Sequence, residues 1–177
     1  TSIADSWYNA FRVEVEKRVS RAGGALNDLR FKWAYAFAKS TDTHSTDQSS
    51  QAGNSQSRPM DWFDMKREKS LSNFDIRQNM TFNFSYALPR LSSGGFGGGL
   101  LNDWSFNGIL TVSDGFPAAV DYGADRNRDG INADRPDLAP GGDSNPVLGG
   151  PDRYFDSEPF LSQPAGFLGN LGRNTLI

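Results

Sequence analysis

Leu29-Arg30-Phe31-Lys32-Trp33-Ala34-Tyr35-Ala36-Phe37-Ala38-Lys39 alternates without a break. Successive side chains of a strand point to opposite faces, so Leu29, Phe31, Trp33, Tyr35 and Phe37 share one side and Arg30, Lys32 and three alanines the other. Three more segments repeat the pattern. From about Tyr8 to Ser20, Phe11, Val13, Val15 and Val19 alternate with Arg12, Glu14, Glu16 and Arg18. From about Ile76 to Leu88, Met80, Phe82, Phe84, Tyr86 and Leu88 alternate with Arg77, Asn79, Thr81, Asn83, Ser85 and Ala87. From Trp104 to about Ser113, Trp104, Phe106, Leu110 and Val112 stand against Ser105, Asn107 and Thr111, with Gly108 and Ile109 interrupting the rhythm. Strands are therefore expected over 8–20, 29–39, 76–88 and 104–113, and no segment carries a helical period.

Periodicity alone does not say whether the apolar face meets a protein core or lipid. Length bears on it. Soluble strands are mostly about 5–6 residues, whereas a tilted membrane strand needs about 9–11. At about 3.3 Å per residue, roughly eleven residues tilted about 45° span roughly 25 Å, the height of the apolar band on outer-membrane barrels. The connections alternate too. A short turn at Ala22-Gly23-Gly24 is followed by a polar loop, 40–75. Next comes a glycine-rich link containing Gly94-Gly95-Phe96-Gly97-Gly98-Gly99, then a long tail, 114–177. Short periplasmic turns and long outer loops are the habit of such barrels. A hairpin about Gly23 puts Glu14 and Glu16 among Arg30 and Lys32. Opposite charges across strands contribute about 0.2–1 kcal/mol, while a charge on the lipid face costs about 2–4 kcal/mol at mid-membrane, so the larger effect demands segregation.

Composition narrows the alternatives. Apolar residues are only 37% of 177, but 13 Phe, 5 Tyr and 4 Trp make them large. No run approaches the roughly 18 apolar residues of a membrane-spanning helix. A net charge of -3 from 18 basic and 21 acidic residues, with no basic stripe, points to no nucleic-acid partner. Zero cysteines remove disulfides and thiolate chemistry. His44 is the single histidine, read as a solvated loop residue, so neither a zinc site nor a Ser-His-Asp triad can be assembled, and no enzyme is expected. The glycine run lacks the Gly-Lys-Ser/Thr ending of a phosphate cradle and is read as a flexible turn.

Several stretches resemble one family in order along nearly the whole chain. They are Tyr8-Asn9-Ala10-Phe11, Trp33-Ala34-Tyr35, Asp61-Trp62-Phe63-Asp64, Leu71-Ser72-Asn73-Phe74-Asp75-Ile76-Arg77, Trp104-Ser105-Phe106-Asn107-Gly108-Ile109, Asp134-Arg135-Pro136-Asp137 and Phe167-Leu168-Gly169-Asn170. Together they resemble the barrel of Oar-like TonB-dependent receptors. The resemblance implies an outer-membrane transporter with a signal peptide, a regulatory-like β-domain, a plug and a 22-stranded barrel. Thr1-Ser2-Ile3-Ala4-Asp5 is no signal peptide, so an internal segment near the C-terminal end of the barrel is expected.

The fold expected is thus all-β: an antiparallel transmembrane barrel segment of about four long strands, part of a larger barrel, with loops 40–75 and 114–177 extracellular. Lumen-facing positions are Arg12, Glu14, Glu16, Arg30, Lys32, Arg77, Asn79 and Asn83. Lipid-facing positions are Phe11, Val13, Val15, Phe31, Trp33, Tyr35, Phe82, Phe84 and Tyr86. The expected partners are outer-membrane lipid, a solute of unknown identity, and a plug and TonB reached through other parts of the protein. A soluble β-sandwich of the carbohydrate-binding kind is the alternative.

Two local features have paired readings. Asp125-Arg126-Asn127-Arg128-Asp129-Gly130 places oxygen ligands at the first, third and fifth positions of a calcium loop, with the Ile131 carbonyl next. Pro136 stands where the bidentate Glu belongs, leaving Asp134 or Asp137 as substitutes; the other reading is a solvated Asx turn. Trp7, Tyr8 and Trp104 fit an interfacial girdle. Trp62 and Phe63, in mid-loop, are read as packing anchors.

Overall fold

The computed structural model describes residues 4–19, 28–45, 59–89, 95, 102–130, 132 and 134–177. The Ala22-Gly23-Gly24 turn, the glycine run apart from Gly95, and Ile131 lie outside the described residues. Antiparallel pairing joins β2 (Leu29–Asp42) to β3 (Ser70–Leu71) and β4 (Gln78–Ala87), β4 to β5 (Ser105–Ser113), and β6 (Asp137–Leu138) to β7 (Phe160–Leu161). With β1 (Ser6–Val19), the long strands lie in the order β1-β2-β4-β5, an up-and-down sheet. One 3-10 helix, Met65–Glu68, is capped by Asp64, whose side chain accepts from the Lys66 N–H. Alternation therefore places all four long strands, and their ends fall within three residues of the expected bounds. No helix among the described residues is long and apolar enough to cross a membrane, which leaves strands untouched.

The chain forms two compact units: Ala10–Ala38 with Arg77–Asp114, and Thr1–Asn9, Lys39–Ile76 and Gly115–Ile177. The first is the sheet. Its register sorts the side chains into rows across β2, β4 and β5. Leu29–Tyr86–Phe106, Phe31–Phe84–Gly108, Trp33–Phe82–Leu110 and Tyr35–Met80–Val112 lie on one face. Arg30–Ser85–Asn107, Lys32–Asn83–Ile109, Ala34–Thr81–Thr111 and Ala36–Asn79–Ser113 lie on the other. The interruption at Gly108-Ile109 has a cause in packing. A Cβ on Gly108 would lie 2.4 Å from Cε1 of Phe84, so the ring occupies the space that a side chain would take. The strand keeps its phase, and Ile109 falls on the polar face, 78% exposed.

The second unit corrects the expectation of a structureless tail. The stretch after Ser113 contains β6 and β7, and isolated bridges join Ala118 to Leu176 and Val147 to Phe155. Its interior is mostly polar. Met60, Leu171 and Leu176 are its buried apolar side chains among the described residues, beside the fully buried Pro59 and Pro136. Glu68, Arg135, Asp42, Arg173, Ser45, Ser72, Asn73 and Asn174 are buried with them. A segment with few aliphatic residues cannot close over an oily core, and buried charges persist only when paired and hydrogen-bonded.

Candidate functional site

The first candidate surface is the sheet itself, because its two faces differ so sharply. On the polar face, Lys32 Nζ lies 2.7 Å from Glu14 Oε1, both half exposed. That contact fixes the parity of β1 against β2, placing Arg12, Glu14 and Glu16 with Arg30 and Lys32. Asn79 and Asn83 join them by register, while Arg77 precedes β4 and its carbonyl accepts from the Ala38 N–H. A shallow depression of about 260 Å³ opens among Glu16, Arg30, Lys32, Asn83, Ser85 and Asn107. Phe31, Phe84, Gly108 and Ile109 complete its lining, which is more apolar than polar.

The apolar face gathers Phe11, Val13 and Val15 of β1 with Phe31, Trp33, Tyr35, Phe82, Phe84 and Tyr86. Trp33 and Tyr35 stack with ring centroids 6.0 Å apart, Phe82 lies 5.9 Å from Phe84, and Phe31 6.1 Å from Phe82. Large side chains nevertheless stay bare: Phe11 is 64% exposed, Phe106 58%, Leu110 52% and Val112 51%. A contiguous apolar surface of this kind in water marks an interaction face or an aggregation hazard.

The second candidate is the polar interior of the loop unit, which sequence reasoning missed. The Arg135 guanidinium donates to both carboxylate oxygens of Glu68, at 2.8 and 2.7 Å, and from Nε to the Leu171 carbonyl at 2.9 Å. Arg173 donates to the side chain and carbonyl of Asp42, to Ser45 Oγ at 3.0 Å, and to the Glu68 carbonyl at 3.4 Å. Asn174, at a φ of 55°, donates to the Leu71 carbonyl and to Asn73 Oδ1, both at 2.7 Å. Glu68 thus serves two arginines, one through its carboxylate and one through its backbone. The outcome is a cross-linked scaffold. It holds together segments far apart in sequence.

In the loop beginning at Asp125, the oxygens are turned inward. Asp125 accepts from the N–H groups of Arg128, Asp129 and Gly130, and Asp134 from those of Arg126 and Asn127. Asn127 Nδ2 donates to Asp129 at 3.0 Å. Among the described residues, no three acidic or histidine side chains converge as a cation cage. These carboxylates satisfy the loop's own amides, as in Asx turns. Trp62 and Phe63 also depart from expectation, being 50% and 103% exposed and not packed. Asp61 Oδ1 accepts from the N–H groups of Phe63 and Asp64, which turns the backbone so that the rings project.

Long antiparallel strands, one charged and amide-rich face and one bare aromatic face define the wall of a membrane β-barrel. The comparison with known families agrees: residues 1–177 match the model described as outer membrane beta barrel domain, and the chain belongs to that family. It is accordingly a protein of the Gram-negative outer membrane. No curated protein and no solved structure matches it. The soluble β-sandwich alternative is left without support.

Proposed function

We propose that the chain forms part of the wall and outer loops of a TonB-dependent transporter that brings a solute into the periplasm. Membership in the barrel family and the likeness to Oar-type receptors support the reading. The observation that carries it is the bare aromatic face on strands long enough to cross a bilayer. In this reading Phe11, Val13, Val15, Phe31, Trp33, Tyr35, Phe82, Phe84 and Tyr86 meet lipid. Arg12, Glu14, Glu16, Arg30, Lys32, Arg77, Asn79 and Asn83 face the lumen, where a plug and the solute pass. The protein's role is passage and not chemistry, and the loop unit lies on the cell's outer side.

The chain has no cysteine, so in a full-length protein cleared of cysteine elsewhere a single introduced cysteine reports facing directly. In the full-length protein in cells, cysteine at position 32 should react with a water-soluble maleimide and cysteine at 31 should not. Phe31→Lys or Phe82→Lys should abolish assembly, at about 2–4 kcal/mol for a mid-membrane cation, while Lys32→Ala should assemble normally. Equal labelling at 31 and 32 would refute the facing. Failure of the full-length protein to bind the TonB C-terminal domain would refute the energy coupling and leave a passive barrel.

A further inference from the structure

Beside the closed ion pair of Glu14 and Lys32 lies a second pair of opposite charges that stays open. Lys32 Nζ meets Glu14 Oε1 at 2.7 Å. Two places nearer the β1–β2 connection on each strand, Glu16 and Arg30 stand on the same polar face, and both line the depression of about 260 Å³. Among the described residues, neither the Glu16 carboxylate nor the Arg30 guanidinium is closed by a hydrogen bond or an ion-pair contact. Opposite charges that border one hollow without touching select an occupant carrying the same two charges in reverse order. The rest of the lining adds further chemistry. Asn83, Ser85 and Asn107 bring amide and hydroxyl groups from β4 and β5. Ile109, 78% exposed, supplies an apolar wall beside Gly108.

Ammonium, carboxylate, amide and an apolar side chain together are the composition of a short peptide. At about 3.3–3.6 Å per residue, a dipeptide carries its charged ends roughly 7 Å apart. Long side chains leaving neighbouring strands about 5 Å apart reach across that span. We propose that the depression is a subsite for a short zwitterionic peptide. Arg30 receives the carboxylate, Glu16 the ammonium, Asn83 and Asn107 the peptide bond, and Ile109 an apolar side chain. The proposal rests on the lumen facing and the transport reading above, and it narrows the unnamed solute to a chemical class. A neutral sugar leaves both charges unanswered, and a phosphate ester is repelled by Glu16.

The test titrates the full-length protein, purified from outer membranes in mild detergent, with the dipeptide leucylglycine, its N-acetylated form and its C-terminal amide, read by calorimetry. Blocking either end should weaken binding to the wild type about tenfold, as should Glu16→Gln or Arg30→Gln with the free dipeptide, because each removes a charge-assisted hydrogen bond exposed to water. Losses that remove the same contact do not add: Glu16→Gln should bind free and acetylated dipeptide alike, and Arg30→Gln free and amidated dipeptide alike. Ile109→Ser should cost about fourfold with leucylglycine, the worth of one buried methylene, and nothing with glycylglycine. No binding by the wild type overturns the subsite, as does a loss on acetylation that persists in Glu16→Gln. A uniform loss with all three ligands, which a merely structural role would give, overturns it too. Heat-modified gel migration verifies that each variant is a folded barrel. Cysteine labelling at 31 and 32 reads the facing by itself: correct facing without peptide binding sinks the subsite alone, whereas equal labelling sinks the lumen reading beneath it.

Discussion

Glu68→Ala is the sharpest probe of the loop unit. Glu68 and Arg135 are each 1% exposed, and two hydrogen bonds of 2.8 and 2.7 Å join them. Removing the carboxylate takes the charge partner from a buried guanidinium and strips the Met60 N–H of its acceptor. Breaking one side of a buried pair costs about 3–5 kcal/mol. At about 1.4 kcal/mol per tenfold, local opening of the unit should rise roughly 10²–10³-fold. Replacing both residues with methionine should recover most of the loss, because an apolar pair of similar volume pays no desolvation. Hydrogen exchange on the barrel in detergent reads this at the N–H groups of Leu138, Leu171 and Leu176, which are bonded to Asn170, Pro136 and Ala118. Unchanged protection in Glu68→Ala, or a double variant as unprotected as the single, refutes the claim that this pair closes the unit.

Other expectations follow from close contacts. A Cβ on Gly169 would fall 1.9 Å from the Arg135 carbonyl oxygen, backbone against backbone, so Gly169→Ala should open the loop unit to limited proteolysis at least as strongly as Glu68→Ala. Gly108→Ala must displace the Phe84 ring and should lower the barrel's unfolding midpoint by the equivalent of about 1–3 kcal/mol, and Phe84→Leu in the same chain should restore it. Asp134→Ala leaves two amides without their acceptor, at about 1–3 kcal/mol for each group that stays buried, so exchange at Arg126 and Asn127 should quicken; unchanged rates there contradict the Asx-turn reading.

The sheet was legible because a strand writes its environment into the sequence every second residue. Phe31, Trp33, Tyr35 and their partners at Phe82 and Phe84 announce both the element and its faces. Even Gly108 was visible as a flaw in the rhythm, although only coordinates show the Phe84 ring filling the gap. The loop unit carried no such mark. Arg135 and Arg173 meet Glu68 and Asp42 across 67 and 131 positions, and an arginine in a proline- and glycine-rich stretch reads as solvated whether or not it is buried. The signal present was Asp134-Arg135-Pro136 within the family likeness, a pattern that names no partner. Trp62 and Phe63 misled for the opposite reason: aromatic area predicts burial, yet Asp61 holds the turn with the rings outward.

A scaffold bolted with guanidinium and carboxylate has a bearing on how such a protein is delivered. Before insertion, a barrel chain travels unfolded through water, where every oily stretch invites clumping. Here the stickiness is concentrated in the ribbons that a holding chaperone must shield. The segment 39–76 carries only Leu71 and Ile76 as branched aliphatic side chains to cover on the way and can be left wet until the arginines find their partners.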